Sequence, residues 1–197
     1  RATVLLDDAH GFGVLGAEGR GLWDQEGAWA EVNGGGRTQQ LRLCVTGTLA
    51  KALGGFGGVI PGTRQFVARA RESSHYFDGA SAPASPVAGA TARALEIVLR
   101  EPRLRTQLRE NARHLKAALR ALGLEIPPGE SAHFGVRLVS AEAMRRVHLE
   151  LKQRGILLPH IETYAGLPLG GALRFAVFAT HTRPQLDHLV SELRTLL

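Results

Sequence analysis

The amino-acid sequence predicts an α/β protein, and three observations lead to that class. A short apolar run, residues 2–6, ends directly at two acidic residues, as a buried parallel strand does where polar groups follow its carboxyl end. Glycine-rich segments then separate two further short apolar runs. From residue 63 onward, apolar side chains recur at helical spacing, most regularly over residues 102–122.

Each element is predicted from its own local pattern. Short apolar runs bounded by glycine, proline or acidic residues predict strands at 2–6, 41–45, 57–60, 133–139, 156–158 and 173–178. Helical spacing of apolar residues predicts helices at 63–71, 86–100, 102–122, 141–154 and 184–196. The glycine-rich stretch 11–36 is predicted to be irregular, with a flexible insertion at its three consecutive glycines.

The pattern changes near residue 100, which predicts two units, 1–100 and 101–197. The second unit begins with the 102–122 helix and continues as a compact α+β arrangement. A length of 197 residues allows one large domain or two small ones. Because the chain opens on Arg1 and enters an apolar strand at once, we expect it to be part of a longer protein.

Composition narrows the possible partners. The 24 Lys and Arg residues exceed the 18 Asp and Glu residues, which raises the question of a polyanion ligand. The arginines of residues 100–120 fall mostly on the polar face of a helix, without interleaved aromatics, so nucleic-acid binding is not expected. No apolar run approaches the roughly 20 residues of a membrane helix. Cys44, the single cysteine, is typical of a reducing compartment, and we expect a cytoplasmic protein.

The glycines of residues 11–16 match the dinucleotide-binding pattern Gly-x-Gly-x-x-Gly. That motif requires a helix to open at the glycines, so that its amides face a pyrophosphate. The following residues, Ala-Glu-Gly-Arg-Gly, are poor helix formers, and we therefore reject a dinucleotide site. The eight histidines show no metal-ligand spacing, and no metal site is predicted.

Asp7 and His10 form the first candidate for chemistry. An acid at a strand end can lie beside a heterocyclic nitrogen and keep it protonated, and a histidine three residues on can reach the other side of the same ring. A capping acid with a surface histidine is the alternative interpretation.

Lys51 is the second candidate, since lysine occurs only three times. It follows an apolar strand and lies among small residues and glycines, and a lysine in an enclosed setting can form an imine with a carbonyl. Thr48 offers a hydroxyl to a phosphate, and the nearby glycines allow a bulky ligand to approach the backbone. An exposed lysine in a glycine-rich turn is the alternative.

Together, the two segments resemble the α-oxoamine synthases, a family of pyridoxal-phosphate (PLP) enzymes. Residues 7–21 are similar to that family's Asp-[Glu/Asp]-Ala-His-x-x-Gly-x-x-Gly-x-x-Gly-Arg-Gly motif, and residues 47–54 to its Gly-Thr-[Leu/Phe]-x-Lys-[Ala/Gly]-[Phe/Leu]-Gly motif. The resemblance implies fold type I, the aspartate-aminotransferase-like fold. Residues 1–100 would then be the C-terminal part of the large PLP-binding domain, and 101–197 the small C-terminal domain.

The resemblance also assigns roles. Lys51 is expected to hold PLP covalently and to act in catalysis, Asp7 to pair with the pyridine nitrogen, and Thr48 to bind the phosphate. His10 is expected to be a catalytic residue that hydrogen-bonds the ring hydroxyl. Arg174, followed by His181, resembles the family's C-terminal Arg-x-Arg…His stretch and is expected to bind the substrate carboxylate.

The implied activity is condensation of an amino acid with an acyl-CoA thioester to give an α-oxoamine, usually with loss of CO2, by a homodimer. Three departures leave the acyl donor and the acyl transfer itself open. The interval from His10 to Lys51 is longer than usual, Asp78-Gly79 replaces a Ser/Thr pair, and Ala172 replaces the first arginine of Arg-x-Arg. An aminotransferase of the same fold, a non-catalytic structural fragment and a basic polyanion-binding module remain as alternatives.

Overall fold

The computed structural model describes residues 2–34 and 41–197. The predicted insertion at residues 34–36 therefore lies largely outside the described residues, as does most of the extra length around residues 33–40. The chain divides into two compact units, Arg1–Arg103 and Leu104–Leu197.

The first unit contains a three-stranded sheet with the order β1-β2-β3. β1 (Ala2–Asp7) runs parallel to β2 (Leu41–Thr48), and β3 (Gly58–Val59) pairs antiparallel with the end of β2. Three helices accompany the sheet: α1 (Leu22–Gln25), α2 (Arg64–Glu72) and α3 (Ser85–Arg100). The core consists of Val32, Leu43 and Val45, against which Trp23 and Trp29 pack.

Asn33 fixes the glycine-rich segment to this sheet. Its side chain is buried, its Nδ2 donates to the carbonyl oxygens of Val45 and Pro61, and its Oδ1 accepts from the Val45 N–H at 3.1 Å. The residue has a φ of 48°, in the left-handed region that asparagine tolerates better than most residues. Asn33 therefore pairs with β2 through its side chain.

The second unit packs helices against an antiparallel sheet with the order β4-β6-β5. The sheet contains β4 (His133–Val136), β5 (His160–Ile161) and β6 (Ala172–Ala176). The helices are α4 (Arg103–Ala121), α5 (Ala141–Gln153) and α6 (Arg183–Leu196). The core is formed by apolar side chains of both layers, including Leu115, Leu119, Phe134, Met144, Leu151, Phe175 and Leu193.

The predicted strand at residues 156–158 is wrong. The N–H of Ile156 donates to the carbonyl of Leu151, and the Gly155 N–H donates to Lys152, with Gly155 at a φ of 76°. This bonding closes the C-terminus of α5 through a left-handed glycine, so the apolar run caps a helix. The strand begins only at His160.

Other boundaries also differ from the sequence prediction. β2 continues to Thr48, whereas β4 ends at Val136 and leaves Val139 98% exposed. Residues 11–34 are not wholly irregular, since they include α1 and a turn of 3₁₀ helix at Trp29–Glu31. Among the described residues, no helix is long and apolar enough to cross a membrane.

Candidate active site

Asp7 lies at the carboxyl end of β1, where the register pairs it with Thr46 of β2. Its side chain is exposed, and its Oδ1 accepts a hydrogen bond from the Ala9 N–H at 3.1 Å. Both parallel strands end here, and such an edge is where open α/β sheets bind ligands. The Asp7 carboxylate is therefore accessible at the sheet edge from which the two motif segments continue.

His10 and Lys51 come into direct contact although 41 residues separate them. The Nζ of Lys51 lies 2.9 Å from the Nε2 of His10, within hydrogen-bonding distance. Both side chains are exposed, so the enclosed setting expected for Lys51 is not found. The structure brings together two of the candidate residues that the sequence singled out in separate segments.

Thr48 ends β2 three residues before Lys51. Its hydroxyl donates to the Gly57 carbonyl at 3.1 Å and accepts from the Ala50 N–H at 3.1 Å. The hydroxyl proton is thus used inside the loop that carries Lys51. A phosphate at Thr48 would have to take the place of the Gly57 carbonyl as acceptor.

The loop after β1 packs directly on the Lys51 loop. A side chain at Gly13 would meet the Cβ of Ala52 at 2.8 Å, and one at Gly47 would meet the ring of Phe12 at 3.3 Å. No helix opens at the glycines, because residues 11–21 fold back on themselves through a bridge between Phe12 and Arg20. The rejection of a dinucleotide site agrees with this conformation.

Asp8 is a residue that the sequence analysis did not single out. It is 7% exposed, and its Oδ2 accepts from the Leu22 N–H at 2.6 Å. Burial raises the pKa of its carboxyl group, the N–H groups of Leu22 and Gly11 oppose that rise, and the charge of Asp7 adds to it. Two glycines far apart in sequence, Gly11 and Gly21, leave the space that the carboxylate fills.

Arg174 belongs to the second unit, where its side chain projects from β6 and is exposed. A cavity of about 570 Å³ is lined by Arg174, His181 and mainly apolar residues, among them Ile156, Leu158, Phe178 and Leu186. His181 accepts from the Phe178 N–H through Nδ1 at 3.3 Å. The cavity therefore presents a guanidinium beside apolar walls.

The remaining candidate positions are simpler. Asp78 follows a 3₁₀ turn, His75–Phe77, and is exposed, as is Ser81. His148 and His160 hydrogen-bond to the carbonyls of Leu158 and Gly170. In the described ranges, no group of three or more His, Cys, Asp or Glu side chains could hold a metal ion.

Comparison with known proteins identifies relatives across the whole chain. The chain is 32% identical over 197 residues to 8-amino-7-oxononanoate synthase of Alkalilimnicola ehrlichii, covering 100% of this chain and 48% of that protein. It is 34% identical to 8-amino-7-oxononanoate synthase of Methylococcus capsulatus, with 98% and 48% covered. The chain thus spans about half the length of the curated relatives it matches.

A solved structure of serine palmitoyltransferase with a PLP internal aldimine has a TM-score of 0.83 and 25% identity to this chain, covering 98% of this chain and 47% of that one. This similarity confirms the predicted fold type I, and the relatives confirm the resemblance to α-oxoamine synthases. The family model described as "Aminotransferase class I and II" matches residues 1–193. The chain therefore belongs to the class I and II aminotransferase family.

Proposed function

We propose that the chain forms part of a PLP-dependent acyltransferase of the α-oxoamine synthase type, with PLP bound covalently to Lys51. The observation that carries the proposal is the 2.9 Å contact between Lys51 Nζ and His10 Nε2, at the sheet edge where Asp7 is exposed. On the PLP ring, the imine-forming carbon and the hydroxyl are neighbouring substituents. An amine and an imidazole in contact match that arrangement.

The residues present fit the cofactor in chemical type. When bound, PLP forms imines with amines and withdraws electrons from the adjacent carbon. Asp7 would hold a proton on the ring nitrogen, and His10 would hydrogen-bond the ring hydroxyl oxygen. Lys51 would bind the aldehyde carbon and later move a proton at the substrate Cα. Thr48 would bind the phosphate after exchanging its bond to Gly57.

Arg174 is proposed to bind the substrate carboxylate. Its guanidinium offers a planar, bidentate donor for a carboxylate, and mainly apolar residues line the adjacent cavity. An amino acid and an acyl-CoA are the proposed substrates. We also propose that residues 1–100 belong to the large PLP-binding domain, that 101–197 form the small domain, and that the whole protein is a cytoplasmic homodimer.

Covalent labelling tests the central assignment. The chain is mixed with PLP, reduced with borohydride and digested, and the peptides are weighed by mass spectrometry. We expect the pyridoxyl mass on the peptide that contains Lys51, and its loss in Lys51→Ala. Lys152→Ala is the matched control because Lys152 is also exposed, and it should leave the label in place. An unchanged label in Lys51→Ala would show that another amine holds the cofactor.

An aminotransferase is the second candidate, because the matching family model carries that description. Such an enzyme would use the same lysine and acid but no thioester. In the full-length protein, amino-acid-dependent CoA release from acyl-CoA supports acyl transfer. Amino transfer to a keto acid without CoA release would instead establish the aminotransferase.

A further inference from the structure

We propose that Asp8 is a positioning residue. Its carboxylate holds the backbone near Gly11 and at Leu22, on either side of the loop that follows β1, and so keeps His10 in contact with Lys51. The role of His10 and Lys51 in catalysis rests on the proposed function, whereas the positioning itself rests on contacts within the chain. Asp8 follows the proposed partner of the ring nitrogen, but its side chain faces the protein interior and is 7% exposed.

The Asp8 carboxylate joins two distant points of the chain. Its Oδ2 accepts from the N–H of Leu22 at 2.6 Å, and the Gly11 N–H lies close enough to the carboxyl group to lower its pKa. Gly11 directly follows His10, and its N–H lies 3.1 Å from the Asp8 carbonyl oxygen as well. The main chain on the carboxyl side of His10 is therefore held by Asp8, through both its side chain and its carbonyl group.

The surroundings of Asp8 are built for a carboxylate of this size. A side-chain carbon at Gly11 would overlap Oδ1, and one at Gly21 would overlap Oδ2. A buried carboxylate is costly unless hydrogen bonds offset its desolvation. An apolar side chain would fill the same space without the desolvation cost of a carboxylate. The presence of an acid therefore indicates that its role is to accept hydrogen bonds from backbone N–H groups.

The fixed loop then delivers His10 to Lys51. Gly13, three residues beyond His10, lies so close to Ala52 that a side-chain carbon would approach its Cβ to 2.8 Å. Ala52 is the residue after Lys51, so the two loops touch beside the 2.9 Å contact between Lys51 Nζ and His10 Nε2. Removal of the Asp8 carboxylate would allow the loop that carries His10 to move. The imidazole of His10 would then separate from the amine of Lys51.

The test follows the imidazole of His10 by NMR in the cofactor-free chain labelled with 15N-histidine. Lys51→Ala provides the reference, because loss of the neighbouring ammonium should move the titration midpoint of His10 upward. Asp8→Ala should move the midpoint upward toward that reference value. Loss of the Asp8 negative charge alone would move it downward, so the sign separates displacement of His10 from a direct charge effect.

Asp24→Ala is the matched control. The Asp24 Oδ2 accepts from the N–H groups of Glu18 at 2.8 Å and Arg20 at 3.3 Å, which belong to the same loop. We expect no upward shift in this variant. An unchanged or lowered midpoint in folded Asp8→Ala, or an equal upward shift in Asp24→Ala, would overturn the proposal.

Asp8→Asn carries the test if Asp8→Ala does not fold. The amide keeps the volume but turns a donor toward one of the two N–H groups, so we expect a smaller upward shift, and an unchanged or lowered midpoint overturns the proposal. Labelling of Lys51 by PLP is measured in parallel. If the His10 midpoint rises in Asp8→Ala but PLP does not label Lys51 in the wild-type chain, the proposed function is rejected and the positioning role stands. If PLP labels Lys51 but the midpoint does not rise, only the positioning role is rejected.

Discussion

Replacing Asn111 by alanine is expected to destabilise the second unit by about 2–4 kcal/mol, through the loss of two partly buried hydrogen bonds. Asn111 lies on α4 with 0% of its surface exposed. Its Nδ2 donates to the carbonyl of Phe178 at 3.1 Å and to that of His181 at 2.8 Å, and its Oδ1 accepts from Gln107 at 3.1 Å. The side chain thus ties α4 to the turn that follows the strand carrying Arg174.

The magnitude follows from the groups left behind. Alanine cannot donate, so two carbonyl oxygens lose their partner, at about 1–2 kcal/mol each when water cannot fully replace it. The stability of a whole domain is about 5–15 kcal/mol, so the loss is a large fraction of the total. For a unit of this size it corresponds to a fall in melting temperature of about 4–8 °C per kcal/mol.

Urea unfolding, followed by the far-ultraviolet signal, measures the change. Gln107→Ala removes only the partner of Oδ1 and should cost less than about 1 kcal/mol. Asn111→Asp keeps the volume but directs a carboxylate at two carbonyl oxygens, so its deficit should shrink as the pH falls and the introduced acid becomes a donor. A loss below about 0.5 kcal/mol in Asn111→Ala would refute the reasoning, since the two carbonyls would then be hydrated.

The other predictions concern a buried charge and a tightly packed glycine. Burial, with the charge of Arg120, lowers the pKa of Lys116, whose Nζ donates to the Gly129 carbonyl. Lys116→Met should therefore raise the free energy of unfolding by about 1–2 kcal/mol at pH 7. This gain should diminish as the pH rises from the lowered pKa of folded Lys116 toward 10.5, because the lysine then becomes neutral in both the folded and the unfolded chain. A gain of the same size at pH 7 and pH 10 in urea titrations contradicts this cause. Gly21→Ala should cost at least about 3 kcal/mol, because φ is 96° and the new carbon overlaps the Asp8 carboxylate. Gly54→Ala, at a φ of 59° with open space, should cost only about 1 kcal/mol, and equal losses in the two variants would show that the overlap is relieved.

The helices of the second unit could be predicted because apolar periodicity and burial coincide there, whereas the apolar run of β1, predicted to be buried, is mostly exposed. The helix predicted at 102–122 is observed at Arg103–Ala121, and Ala112, Leu115 and Leu119 of its apolar stripe are buried. The prediction failed at a helix end, where local backbone hydrogen bonds decide the conformation. Residues 156–158 have the composition of a strand, but Gly155 turns the chain so that Ile156 closes α5.

The candidate site was predictable only in part. The local sequence indicates His10 and Lys51 as two separate candidates. Sequence spacing alone does not predict a contact between two side chains that are 41 residues apart. The resemblance to a known family predicted that the two segments contribute to one site, before their contact was seen in the structure. The role of Asp8 could not be predicted from the sequence, because its partners are the backbone N–H groups of Gly11 and Leu22. Almost any residue type could supply such a group.

The glycine pattern of residues 11–21 shows why such a motif must be judged by the conformation that follows it. The N–H of Gly13 donates to the Gly19 carbonyl at 2.8 Å, and that of Gly21 to the Leu15 carbonyl at 3.0 Å, so these amides are used within the loop. In a dinucleotide site, free amides at a helix N-terminus would face a pyrophosphate. Here the loop also binds an anion through its backbone, but that anion is the chain's own Asp8 carboxylate. Glycine therefore serves the same physical need for close approach in both cases, and the poor helix formers after Gly16 determine which anion is bound.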